Sequence, residues 1–377
     1  MIAMITRREF AKSLGGAAAL ATLSPVLSWA AGEEKVSAEA AKIYHDSFIL
    51  DGNALAGIGG LLGQSNQDEI TKLIRESGVN ALKCTLGGAT GNFEMAVEDI
   101  AGAQRLMEKR ADLFLNVRTP GDFERARKEQ KLGVVYSFES ANMLEDKIDR
   151  IEIFRGLGVR VMQLTYNRRT PFGVGCLDGE TDGLTDLGRK AIAKMNELGV
   201  ALDLSHSNTK TTADGIAAST KPPLITHAGC REVYLHPRNK EDREMKALAD
   251  KGGVIGIYML PYLTASPKQP MLDDYMRHLE HALKICGEDH VGVGSDVPFF
   301  PVDASDLEEM KKATEKRKAD GIAAPGEDRP TYIPDLNTTR KMEFIADALL
   351  KRGHKSGVVE KILGANFKRA FGEIWTA

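Results

Sequence analysis

The strongest constraint on this chain is an alternation that begins near residue 48, in which short β-branched runs take turns with segments of helical periodicity. Eight runs read as strands: Phe48–Asn53, Asn80–Leu86, Gly133–Glu139, Val159–Tyr166, Val200–His206, Pro223–His227, Gly253–Met259 and His290–Asp296. Between them, segments such as Asp68–Glu76, Ala96–Arg110, Leu187–Leu198 and Asp273–Cys286 space their apolar residues at helical intervals. Thr185-Asp186 offers a cap to the third of these. Strand and helix in strict succession build a parallel sheet, and eight is the number at which such a sheet closes, so the expected fold is an α/β, (β/α)8 TIM-like barrel. A ninth run, Leu113–Arg118, is expected as an extra strand outside the barrel. Lys311–Pro334, a charged helix-like stretch followed by a Pro- and Gly-containing segment, is expected to form a surface excursion, within about residues 301–335, over the mouth of the barrel. Ile362–Phe371 reads as a terminal helix closing the barrel at its bottom or side.

Functional residues of such barrels project from the C-terminal ends of the strands, so the residues that end the apolar runs carry the information. Val134-Val135-Tyr136-Ser137-Phe138 ends in Glu139, Leu202-Asp203-Leu204-Ser205 in His206, Leu224-Ile225-Thr226 in His227, and Val291-Gly292-Val293-Gly294-Ser295 in Asp296. A lone histidine after an apolar run is commonly a hydrogen-bonded core residue, and a lone strand-end carboxylate commonly caps the next helix. Four such residues on separate strands point instead to one metal. Zinc accepts carboxylate and imidazole ligands in tetrahedral geometry, and a fourth position left to water makes such a site catalytic. His45, His278, His281, His290 and His354 lie in helical or loop contexts and read as surface or structural residues.

The N-terminus carries a different message. Thr6-Arg7-Arg8-Glu9-Phe10-Ala11-Lys12 precedes an apolar, small-residue run from Leu14 to Trp29, which resembles a bacterial twin-arginine export signal. Ser28-Trp29-Ala30 places cleavage after Ala30, leaving residues 31–377 as one barrel domain in the periplasm. The run is broken by Gly15, Gly16, Ser24 and Pro25, so it reads as a cleaved signal and not as an anchor, and no membrane span is expected in the mature chain. Fifty basic and fifty-three acidic residues give a formal charge of −3, which argues against a nucleic-acid partner and for a small molecule. Cys84, Cys176, Cys230 and Cys286 form no CxxC pair, and the sequence leaves disulfides and buried thiols equally open.

Several motifs, taken in order, resemble the membrane (renal) dipeptidase family of metal-dependent hydrolases. They are Asp203-Leu204-Ser205-His206, Thr226-His227-Ala228, His236-Pro237-Arg238-Asn239, Gly292-Val293-Gly294-Ser295-Asp296 and Gly364-Ala365-Asn366-Phe367-Lys368-Arg369-Ala370-Phe371. The similarity covers essentially the whole mature chain. It implies a two-zinc dipeptidase with Glu139 as the shared glutamate and His206 and His227 on the second metal. Arg238 then holds the substrate carboxylate with its planar fork, His236 is a turn residue of the same motif, and Asp296 binds the first metal and moves protons.

Two departures qualify that implication. The family opens its first strand with Asp-Gly-His-x-Asp, whereas this chain has Asp51-Gly52-Asn53-Ala54-Leu55. Asn53 offers a carbonyl oxygen to a substrate in place of an imidazole to a metal, Leu55 offers nothing, and Asp51 sits about 6–7 Å deeper on the strand. At most one zinc per chain is therefore expected. At Leu164-Thr165-Tyr166, where animal members carry a substrate-polarising histidine, Tyr166 can donate a hydrogen bond to a carbonyl oxygen. Three functions remain open at this stage: a one-metal hydrolase of a dipeptide-like or carboxylate-bearing amide, a non-hydrolytic binding or accessory protein, and a periplasmic tailoring enzyme on the same scaffold.

Overall fold

The structure is a computed structural model that describes residues 36–55 and 66–375. The signal segment with Arg7 and Arg8 lies outside the described residues. After a first helix, α1 (Ala38–Asp46), the strands and helices follow in alternation: β1 (Leu50–Asp51), α2 (Gln67–Ser77), β2 (Ala81–Thr85), α3 (Phe93–Lys109), β3 (Phe114–Asn116), α4 (Pro120–Lys128), β4 (Leu132–Phe138), α5 (Arg150–Leu157) and β5 (Val159–Gln163). The second half continues with α6 (Asp186–Leu198), β6 (Ala201–Asp203), α7 (Thr209–Ala218), β7 (Leu224–Ala228), α8 (Asp242–Asp250), β8 (Val254–Ile257), α9 (Leu272–Cys286) and β9 (Val291–Val293). Four further helices close the chain: α10 (Ala304–Ala319), α11 (Lys341–Lys351), α12 (Ser356–Glu360) and α13 (Asn366–Ile374).

All strand pairs are parallel, in the order β1-β2-β4-β5-β6-β7-β8-β9. Backbone hydrogen bonds from Gly52 to Val293 (2.8 Å), from Asp296 to Asn53 (2.7 Å) and from Leu55 to Val297 (3.0 Å) join the last strand back to the first, which closes the barrel. The ninth strand falls where the sequence puts it. β3 pairs only with β4, from Leu132 to Val134, before β5 takes over that edge at Tyr136.

Alternation along β4 separates two cores. Val134, Tyr136 and Phe138 face the helical layer, while Val135 joins Leu50, Ala81, Val161, Ala201, Leu224 and Val254 inside the barrel. Helix α13 closes that interior from below with Phe367 and Phe371. The Phe367 ring lies so close to β1 and β9 that a Cβ on Gly52 or Gly292 would stand 2.6–2.7 Å from it, so both positions require glycine. The outer helices follow local rules. Helix α6 begins where Thr185 Oγ1 accepts the Gly188 amide (3.0 Å), buries Ala191, Ile192 and Met195, and ends at Gly199 in the left-handed conformation (φ 64°).

The charged excursion is a helix that starts earlier than its composition suggests. Asp303 caps it, accepting the Ser305 and Asp306 amides, and this carries the helix back to Ala304. No residue of that helix is buried. The four cysteines are free and buried, which decides between the two readings left open above. No helix among the described residues is long and apolar enough to cross a membrane.

Candidate metal centre

Each strand end delivers its polar residue to the top of the barrel. Glu139 follows β4 directly, His227 lies within β7, and His206 and Asp296 each stand three residues beyond β6 and β9. Ligand atoms of Glu139, His206 and His227 all lie within 4.8 Å of one another. His206 Nε2 and His227 Nε2 are 2.9 Å apart, and Glu139 Oε1 is 3.9 Å from His227 Nε2. Asp296 stands at the edge of this cluster, its Oδ2 4.0 Å from His227 Nε2. Its backbone adopts φ 55°, a left-handed conformation that aspartate tolerates better than most residues.

The tautomers of both histidines follow from their neighbours. Asn167 donates from Nδ2 to the Ile322 carbonyl (2.8 Å), so its Oδ1 is the acceptor that faces His206 Nδ1 at 2.7 Å. The hydroxyl of Thr226 donates to Asp203 Oδ2 (2.6 Å) and is left to accept from His227 Nδ1 at 2.9 Å. Asp203 is held in turn by the Ser205 and Thr226 amides and the Ser205 hydroxyl. With both Nδ1 atoms donating, both Nε2 lone pairs aim at the same point. Burial, followed by the nearby Arg238 charge, holds both imidazoles well below their usual pKa, so they are neutral. The Arg238 guanidinium donates to one of these lone pairs and none of the described side chains donates to the other, and two imidazole nitrogens on a tetrahedral zinc stand about 3.3 Å apart. The donor set therefore fits one zinc-like ion.

Next to this cluster, Asn53 stands where the resemblance calls for a metal-binding histidine. Asn53, fully buried, directs Nδ2 to Glu139 Oε1 (3.1 Å) and to Asp296 Oδ1 (2.8 Å), so one neutral amide nitrogen bridges two carboxylates. Both partners are acceptors, which fixes the amide orientation. The Asn53 Oδ1 atom is left buried without a partner, open to a ligand N–H. Burial, reinforced by Glu139, raises the Asp296 carboxyl well above the ordinary carboxylate range. Asp51 is consumed by the Ser295 hydroxyl and amide and the Asn53 amide, which keeps it out of the site, and Leu55 is 44% exposed at the rim.

Arg238 is buried, with a hydrogen bond from Nη1 to the Ser205 carbonyl and one from Nη2 to His206 Nε2 (3.1 Å). Both partners are neutral, so the guanidinium has a charge to offer an anion. His236 accepts the Arg238 amide at Nδ1 and donates from Nε2 to the Pro325 carbonyl (2.9 Å), consistent with a turn residue. The Tyr166 ring stacks on His206 at 4.1 Å, and its phenol is kept protonated by burial. Asn167, Thr226 and Arg317, whose guanidinium lies 5.3 Å from the Tyr166 ring, escaped the sequence reading. Asn167 and Thr226 sit beside strand-end residues that reading singled out, whereas nothing in the sequence marks Arg317.

Fold and site together define a metal-dependent hydrolase barrel. The profile of the family described as membrane dipeptidase, peptidase family M19, matches residues 63–324, and the chain belongs to this family. Dipeptidase tcpJ of Claviceps purpurea is 26% identical over 72% of this chain, a match spanning 58% of that protein's length. An uncharacterized protein in the pqqA 5′ region of Klebsiella pneumoniae is 28% identical, over 67% of this chain and 86% of its own. Among solved structures, an amidohydrolase from Pseudomonas aeruginosa superposes with a TM-score of 0.77 at 31% identity, covering 90% of this chain and 99% of that one.

Proposed function

We propose that the chain is an exported hydrolase that cleaves a dipeptide-like or carboxylate-bearing amide with one zinc ion. The observation that carries this reading is the convergence of Glu139, His206 and His227 within 4.8 Å, with both Nε2 lone pairs facing inward. These three residues hold the ion and Asp296 borders it. A zinc ion there supplies Lewis acidity for activating water and polarising an amide carbonyl.

The chain's own residues divide the remaining tasks. Arg238 binds the substrate carboxylate, and the donor it now directs at His206 Nε2 is released for that purpose once the lone pair is committed to the metal. Asn53 Oδ1 accepts from a substrate N–H. Tyr166 donates its phenol hydrogen toward the carbonyl oxygen as negative charge develops. Asp296, at the edge of the cluster with its Oδ2 4.0 Å from His227 Nε2, takes the proton of the attacking water and returns it to the leaving amine.

One observation favours a second reading, a binding or accessory protein that has lost hydrolysis: the Asn53 amide occupies the bridge between Glu139 and Asp296. Loss of a cation worth several kcal/mol costs roughly a thousandfold in rate. Zinc-loaded protein assayed against simple dipeptides and N-acylated amino acids should cleave the former poorly and show any substantial activity on a restricted, carboxylate-bearing subset that Arg238→Met abolishes. Simple dipeptides turned over at rates of efficient peptidases contradict the one-metal account, and no cleavage of any substrate favours the binding protein.

We further propose that residues 1–30 are a twin-arginine signal and 31–377 one exported domain. Replacing both Arg7 and Arg8 by lysine should leave precursor in the cytoplasm, and normal periplasmic accumulation contradicts this.

A further inference from the structure

The excursion after β9 is a preorganised cover. Arg317 grips both oxygens of Glu327 at 2.8 Å, Glu327 Oε1 also accepts the Ala324 amide, and Thr314 Oγ1 donates to the Glu327 carbonyl. Among the bonds that pin it to the barrel are those from Asn167 Nδ2 to the Ile322 carbonyl (2.8 Å), from Arg168 Nε to the Gly321 carbonyl (2.7 Å) and from His236 Nε2 to the Pro325 carbonyl (2.9 Å), and beyond them Arg329 reaches back to the Pro261 and Ser266 carbonyls. Below it the site is closed, with His206, His227 and Arg238 no more than 3% exposed and Glu139 at 9%.

Of these ties, the one at Asn167 differs in kind. The same side-chain amide that donates to the cover accepts the Nδ1 hydrogen of His206, and Cys176 Sγ adds a weaker donor to that oxygen. Asn167 is 1% exposed, so its amide is satisfied by protein partners and not by bulk water. The neighbouring Tyr166 ring makes a second link, stacking on His206 while the Arg317 guanidinium lies 5.3 Å from the same ring's centroid.

We infer that Asn167 is a positioning residue that couples closure of the 317–327 cover to the metal-binding competence of His206. The inference rests on the metal reading above. When the cover lifts, the Ile322 bond that helps fix the orientation of the Asn167 amide is lost, and with it one of the supports, alongside Cys176 Sγ and the Arg238 donor, for the tautomer in which His206 Nε2 accepts. In the other direction, a cation on Nε2 makes Nδ1–H a better donor, polarises the Asn167 amide and strengthens its bond to Ile322, as hydrogen-bonded chains do. Linkage makes the two effects one quantity: if closure favours metal, metal favours closure to the same extent.

Amide hydrogen exchange of residues 317–327, measured with and without saturating zinc alongside zinc affinity by titration, tests this. In the wild-type chain zinc should slow exchange across the cover several-fold. Asn167→Asp keeps an acceptor for His206 but cannot donate to Ile322, so zinc should still bind while its effect on the cover disappears. Asn167→Ala removes both functions and should weaken zinc binding about 10- to 100-fold, the usual consequence of losing a partner that orients a ligand. Arg168→Ala, which cuts a tie remote from His206, should speed exchange overall and leave the zinc-dependent slowing intact. Equal zinc-dependent slowing in wild type and Asn167→Asp overturns the coupling and spares the metal reading, whereas a chain that takes up no zinc overturns both.

Discussion

Asn53 stands where the family resemblance calls for a histidine, and its effect is set by the direction of its amide. Glu139 and Asp296 are buried carboxyl groups that each need a donor, and the Asn53 nitrogen supplies one to each. The residue types alone assign Asn53 a substrate contact and no part in holding the metal; the geometry adds a hold on Glu139, a proposed ligand. Asn53→Ala should therefore weaken zinc binding by about one order of magnitude, measurable by competition with a chromophoric chelator, and an unchanged affinity would show that Glu139 is positioned without it. His278 gives a residue-scale prediction away from the site. Its Nδ1 accepts the Cys230 amide at 2.9 Å, its Nε2 donates to the Leu263 carbonyl at 2.9 Å, and burial pushes its pKa down to about 4. Between about 4 and 6.5 the unfolded chain binds a proton at this residue that the folded chain refuses, so stability rises with pH across that window and falls on acidification. The contribution at His278 is at most about 3 kcal/mol, and His278→Gln should flatten that part of a pH series of urea unfolding curves; an unaltered slope would contradict it.

At the scale of elements, the strand ends were legible because parallel strands buried on both faces announce themselves as apolar runs, and the first polar residue after such a run marks the top of the barrel. The extra strand β3 was legible for the same reason. The sequence also reads a surface excursion over the mouth, but which of its residues reach the site depends on contacts across 150 residues of sequence. Asn167 with Ile322 and Tyr166 with Arg317 are pairs of that kind, and no periodicity records them. The helix start at Ala304 was missed because charged residues mask a boundary set by the Asp303 cap. Helix α13 makes a testable claim at this scale. Phe367 is fully buried between Gly52 and Gly292 in the floor of the barrel, so Phe367→Ala should cost about 3–5 kcal/mol in unfolding free energy. A cost below about 1 kcal/mol would mean that α13 is not integral to the barrel floor.

For the whole molecule, the barrel holds a gradient of polarity that runs along its axis. The lower interior is apolar, from Leu50 and Val254 down to Phe371. Above it lies a buried hydrogen-bonded layer of Lys83, Ser137, Asp203, Ser205 and Thr226, and above that Glu139, His206 and His227, the proposed metal ligands. That middle layer orients His227 through Thr226 and fastens its backbone amide to Ser205 Oγ, so ligand geometry is set from below as it is set from above by Asn167 and the cover. Such a framework suits the proposal of one metal position beside an amide that bridges Glu139 and Asp296. The central claim is accordingly one of stoichiometry, and elemental analysis of protein purified from its exported form and dialysed against metal-free buffer tests it most directly. The account predicts one zinc-like ion per chain, lost in His206→Ala and His227→Ala, with a second equivalent appearing only when Asn53→His and Leu55→Asp are introduced together; two ions per unmodified chain would contradict it.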